Sequence, residues 1–492
     1  MNIYKSFLKN NFLVFCSHFL LNLKSFFLIP ILIKTVGETT YGSYALLVSL
    51  LGIVFGISAF GVGFRCKRFL PSTENFSERN KLFYPQFYFH LISLSILGLL
   101  LYWYFPFLNE KLWAGKLNFR YFLIFPYLFS YLLYAQTTEY FGYSNQMLVY
   151  NIGGITFPYL FIILVLLLGF IKIPLTIDLI LLAELISAFL VGSVCFWLML
   201  KQIKFSFEFF DLKTLLQDIK LGIPLVVNNL IEMFISSSDR FLLAIFISVS
   251  AVGQYLPAYS LGAFIIFFPR ICGIALQPLY NKCIDQNEEN KGTILLQYSI
   301  KVFLLIAIPF IFGGLAMGKD ILAIFANEEV AKKSYLIIPL ISFGMTFLGL
   351  KGILSSVLFV QLRTALILKL NIVIFAINFC INIILLICFK SVITVGIAFG
   401  ISNILGLILM IKFGQINCLN IRDFLPGIVK SLLCAIFMFA MIKASPGLER
   451  KSLDVACRMA IGISSYFLLV IVSGFFSKKE ILFVKSQFFP TK

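Results

Sequence analysis

Five basic side chains stand inside long apolar runs of this 492-residue chain: Lys24, Arg240, Arg270, Lys301 and Lys351. A cation at the centre of a membrane helix costs roughly 2.5–3.5 kcal/mol or more, so a chain that keeps several has a use for them. Fixed cations in such a setting suit an anionic group. Arg in particular donates in a fork to phosphate oxygens. The acids inside comparable runs are chiefly Glu232 and Asp239, so buried bases outnumber buried acids and the cargo they favour is anionic. Each basic residue also has a plainer reading. Lys24 can serve as the counter-ion of a nearby acid, or be held neutral by desolvation. Arg240 and Arg270 can snorkel to an interface. Lys351, between Gly349 and Gly352, can mark close backbone packing. Arg65, ending an apolar run, can anchor the chain to a basic inner face or guard a cytoplasmic mouth. Asp239 and Arg240 are neighbours, so on a helix they point about 100° apart and need not pair.

The elements that must carry these residues are membrane helices. Hydrophobic residues make up 60% of the chain, charged residues 13%, and the mean hydropathy is +0.98. A soluble domain is about 45–50% apolar and about 25% charged. The expected fold is an all-α polytopic membrane protein. The net charge of +18 fits basic cytoplasmic loops rather than nucleic-acid binding, because no soluble basic stretch with interleaved aromatics occurs. Ten cysteines are scattered without a CxxC pair and there are two histidines, His18 and His90. Neither a disulfide framework nor a zinc or His-based catalytic centre is indicated, and no cofactor or metal is expected.

Apolar runs long enough to cross a bilayer, about 20 residues each, fall near 12–33, 42–63, 82–105, 120–138, 149–170 and 179–200. After an amphipathic cytoplasmic link, 201–220, they continue near 221–247, 252–278, 296–317, 334–358, 366–388, 391–413, 426–443 and 457–476. The total is about fourteen. Pro30 is placed to kink the first run, and 248–253 is placed as a tight turn between the seventh and eighth. The excess of Lys and Arg in alternate loops puts both termini in the cytoplasm.

Gly42, Tyr44, Ser49 and Leu50 recur at one offset as Gly253, Tyr255, Ser260 and Leu261. The offset spans about six helices, an even number, as in parallel transporter repeats with a site between the halves. Residues 1–200 and 201–413 are then expected as two like-oriented six-helix bundles, with 414–492 supplying two further helices and a tail.

These residues carry a resemblance. Pro30…Gly37…Tyr41-Gly42-x-Tyr44 resembles the opening of polysaccharide export proteins. Gly222-x-Pro224…Ser238-Asp239-Arg240…Val252-Gly253-x-Tyr255 resembles their seventh and eighth helices. The match is to O-antigen flippases of the Wzx type, in the multidrug/oligosaccharidyl-lipid/polysaccharide exporter superfamily. It implies a V-shaped transporter of the bacterial inner membrane, not an enzyme. Such proteins move an undecaprenyl-diphosphate-linked oligosaccharide between leaflets by alternating access. It further implies that helices one and eight line the cavity, which makes Lys24 and Arg270 the foremost candidates for the diphosphate, followed by Arg240, Lys351 and Arg65. Asp239 and Glu232 are left as coupling or structural acids. Asn22, Asn228, Asn229, Gln254, Tyr255 and Tyr259 can meet sugar or join helices by hydrogen bonds. The expected partners are the lipid-linked oligosaccharide and the bilayer, with a polymerase or chain-length machinery as a candidate, and no nucleic acid. A lipid II flippase or drug antiporter of the same fold is a competing reading. An O-antigen polymerase or ligase is the competing enzyme, and it would want a long outer loop where this chain has short ones.

Overall fold

The computed structural model describes residues 3–73, 75–208, 211–286, 288–361, 363–414 and 421–475. Among them there are helices and connections but no strand. In chain order the helices are α1 (Ile3–Ser58), α2 (Phe64–Phe69), α3 (Phe76–Trp113), α4 (Ile124–Tyr143), α5 (Met147–Phe170), α6 (Ile177–Leu200), α7 (Leu212–Phe246) and α8 (Val249–Ala263). They continue with α9 (Phe267–Asp285), α10 (Glu289–Phe325), α11 (Glu328–Ser334), α12 (Ile337–Val360), α13 (Thr364–Phe389), α14 (Ile393–Gly414), α15 (Ile421–Ala444) and α16 (Lys451–Val472). Helices dominate because a backbone in hydrocarbon must satisfy its own hydrogen bonds within the segment. Eleven helices among the described residues are long and apolar enough to cross a membrane. The protein is therefore a multi-pass membrane protein.

Two turns differ from their sequence-based placement. The first run continues through Pro30, which is placed to kink it and stays within α1. It breaks at Gly37, with φ 80° and ψ 167°, a conformation open essentially to glycine alone. The turn after the seventh run is confined to residues 247–248, where the Ser248 hydroxyl accepts a hydrogen bond from the Ala251 amide at 3.2 Å and caps α8. Gly253 thus lies inside α8 and serves packing instead of turning. A Cβ on Gly253 would collide with the Glu38 carbonyl, and one on Gly42 would sit 2.8 Å from the Gly253 nitrogen. The two repeated glycines let α1 and α8 meet backbone to backbone. Gly61, in the turn after α1 with φ +78°, meets Gly222 of α7 in the same way.

The chain divides into two compact units, Met1–Leu256 with Leu386–Ser391, and Pro257–Leu385 with Val392–Lys492. This division follows packing, whereas the expected bundles follow the repeat, and the one does not test the other. One core of the first unit gathers Cys66, Phe83, Tyr84, Tyr140, Phe141 and Met199. In the second, α15 and α16 pack on α10 around Met317, Ala435 and Tyr466. The Tyr466 hydroxyl donates to the Leu305 carbonyl at 2.7 Å and also meets the Ser431 hydroxyl.

Candidate substrate-binding groups

In the first unit, membrane charges are answered from within. Lys24 on α1 is half-buried and lies within electrostatic range of Glu184 on α6. Glu184 is buried and accepts from the Tyr44 hydroxyl at 2.7 Å and from Tyr127 of α4. Asp239 on α7 is buried and accepts from the Tyr255 hydroxyl at 2.8 Å. Arg240 points elsewhere, its Nη1 donating to the Ser49 hydroxyl at 2.6 Å. Tyr44, Ser49 and Tyr255 are all members of the repeated motif. Glycine sets the helix spacing there, and the tyrosine and serine supply the hydroxyls that meet the charges. Glu38 is held by the Ser250 hydroxyl at 2.6 Å and the Gln254 amide at 2.7 Å. Arg65 lies 3.9 Å from Asp218, with side chains 39% and 6% exposed. His90 is buried between the Ser58 hydroxyl and the Gln136 amide, each at 2.8 Å. Because the amide donates to Nδ1, the proton of this neutral ring sits on Nε2.

The second unit is different. Lys351 on α12 is only 9% exposed and has no hydrogen bond or ion pair among the described residues. Its amine lies against α14, 3.2 Å from where a Cβ on Gly406 would stand. Arg270 on α9 is exposed and likewise has neither bond nor ion pair among the described residues. Lys301 sits 5.0 Å from the Phe475 ring centroid, a cation–π distance. A buried amide and hydroxyl chain joins α13 to α14, with Asn378 donating to Ser402 at 2.9 Å and Asn382 to Asn378 at 3.1 Å.

Of the candidates read from the sequence, Lys24, Arg240, Arg65 and Asp239 fall in the first unit, and Arg270 and Lys351 in the second. The side chains of Glu232 and Asn228 lie outside the described residues. Gln254 and Tyr255 are engaged with acids. The sequence reading passed over Glu184 as a membrane acid. Its signal was present: a lone carboxylate within the 179–200 run, of the same kind as Asp239. Among the described residues no three His, Cys, Asp or Glu side chains gather as a metal-holding set.

Residues 7–278, more than half of the chain, match the polysaccharide biosynthesis protein family. The chain belongs to that family. Residues 224–384 also match the MatE family. Among curated proteins the chain is similar to two from Haloferax volcanii. It is 30% identical over 99 residues to "Probable flippase AglR", covering 20% of this chain and 21% of that protein. It is 28% identical over 115 residues to "Probable low-salt glycan biosynthesis flippase Agl15", covering 23% and 24%. The matched stretch thus spans less than a quarter of either relative's length. Among solved structures the fold is similar to the lipid II flippase MurJ in an inward closed conformation, with TM-score 0.70 and 16% identity over 94% of this chain and 98% of that one. It is also similar to an inward-facing multidrug MATE transporter, with TM-score 0.60 and 14% identity over 80% and 94%. The all-helical membrane fold of this family member is thus shared with flippases and multidrug exporters alike.

Proposed function

We propose that the protein is a flippase that carries an undecaprenyl-diphosphate-linked O-antigen or other polysaccharide repeat unit across the bacterial inner membrane by alternating access. About fourteen crossings would leave both termini in the cytoplasm. The observation that carries this reading is two cations on membrane helices, buried Lys351 and exposed Arg270, that have no ion pair among the described residues. For Lys351, a buried and uncompensated charge is strongly penalised. A diphosphate that arrives with the cargo supplies the missing counter-charge, and a cationic drug would not. Arg270 gives a fork of donors, and Lys351 a compact charge. Lys24 takes part only by exchanging Glu184 for a phosphate oxygen, and Arg240 and Arg65 are secondary contacts. Family membership and the named flippase relatives support a transported lipid-linked glycan over an enzyme.

The test is deletion of the gene. Lipid-linked oligosaccharide is expected to accumulate in the cytoplasmic leaflet and surface polysaccharide to be lost, both restored by the wild-type gene. Arrest of peptidoglycan synthesis would point to lipid II as cargo, and drug sensitivity alone to an antiporter. In complementation, Arg270→Ala expressed at the wild-type level is expected to lower export more than Arg270→Lys, which keeps the charge but loses the fork. Equal export by all three proteins would remove Arg270 from the site.

A further inference from the structure

Helix α4 carries polar side chains on one face in a regular array. Tyr131, Ala135 and Glu139 recur every fourth residue and so share one face. Glu139 is exposed. It is nevertheless surrounded by its own unit, with the Tyr143 hydroxyl donating to it at 3.1 Å and Lys67 of α2, Tyr150 of α5 and Tyr134 within electrostatic range. Acids within membrane segments almost always face the bundle interior or a water-filled cavity. Tyr131 stands at the other end of the same face. Phe55 of α1 meets its ring edge-on at 4.9 Å, and Phe157 of α5 meets it at 6.2 Å. Tyr134 packs on Phe157 at 4.5 Å. The Tyr131 and Tyr134 side chains are half-buried, and their hydroxyls have no hydrogen-bond partner among the described residues, yet neither is sealed from solvent. Between ring and carboxylate stands Ala135, half-buried and the smallest side chain on this face. Along the helix the two ends are about 12 Å apart, at 1.5 Å per residue.

Aromatic rings, phenolic hydroxyls without a partner among the described residues and an accessible carboxylate on one helix face are the chemistry that recognises a sugar. A pyranose presents C–H groups that lie against rings and hydroxyl pairs that donate to a carboxylate. We infer that the face of α4 from Tyr131 to Glu139 holds the saccharide headgroup of the cargo. This rests on the flippase reading. Glu139 accepts from sugar hydroxyls, Tyr131 and Tyr134 give hydroxyls and ring edges, and the small Ala135 separates them.

The full chain in nanodiscs would be titrated with two probes, an undecaprenyl-diphosphate-linked disaccharide and undecaprenyl diphosphate without sugar. At nearly constant shape Glu139→Gln removes the charge and Tyr131→Phe the hydroxyl, and Ala135→Leu adds bulk between them. For each variant that melts like wild type, the Kd of the sugar-bearing probe is expected to rise about tenfold, with that of the sugar-free probe unchanged. Equal weakening of both probes, or wild-type affinity for the sugar-bearing probe in all three variants, would overturn this sugar site while leaving the flippase reading intact. Failure of the wild-type protein to bind either probe would overturn both.

Discussion

In the first unit the charges on membrane helices have answering groups close by: Lys24 has Glu184, Arg240 has Ser49, Asp239 has Tyr255, and Glu38 has Ser250 and Gln254. In the second unit Lys351 and Arg270 have none among the described residues, and the buried polar chain there, from Asn382 through Asn378 to Ser402, is uncharged. A charge with an internal partner stabilises the fold that holds the partner. A charge without one costs stability, and its use lies outside the folded chain. The contrast therefore separates architecture from work: ions with an internal partner, such as Lys24 and Asp239, are expected to matter to folding, and those without one, Lys351 and Arg270, to transport.

The largest expected effect breaks the first side of that contrast. Glu184→Leu strands Lys24 and the hydroxyls of Tyr44 and Tyr127, and is expected to cost about 3 kcal/mol, the low end for removing one member of a buried pair. Thermal denaturation in detergent would read it, and adding Lys24→Met should recover most of the loss. No recovery would mean that Lys24 and Glu184 do not act as a pair. Next comes Gly253→Val. Its added side chain meets the Glu38 backbone, which cannot swing away, so an overpacking loss of about 1–3 kcal/mol is expected in the same assay. Arg65→Ala should cost under about 1 kcal/mol, because its partner is 3.9 Å away and Arg65 is in part solvated. The smallest stability effect sharpens the other side. Lys351→Met should leave the melting temperature unchanged or raise it, since no partner is orphaned, while export falls. A marked loss of stability there would show that Lys351 has a structural role after all.

Much of the fold was legible because a bilayer leaves the chain few options. The composition alone implies membrane helices, and the runs read from hydropathy each overlap a helix, although the first two share α1 and the run 252–278 is divided between α8 and α9. The repeated glycine and tyrosine were visible as letters, but not what they do. Nothing local tells that Tyr44 reaches Glu184, 140 residues away. Lys24 looked like an isolated cation because its partner sits on a different helix. The break at Gly37 was hidden behind Pro30, the more obvious punctuation. Proline is tolerated within a membrane helix, and the backbone angles at Gly37 are not open to other residues. Arg270 and Lys351 stood out for the opposite reason: a cation that folding does not neutralise looks the same in the sequence as in the structure.

The glycine contacts place bare backbones face to face, at Gly42–Gly253 between α1 and α8 and at Gly61–Gly222 between the turn after α1 and α7. Helices that meet in this way have no knobs seated in holes, so they can part and close again without repacking a side chain or freezing a rotamer. The same smoothness narrows what inheritance can do there. Side chains elsewhere can change freely, while these four positions admit no larger residue without a shift of backbone.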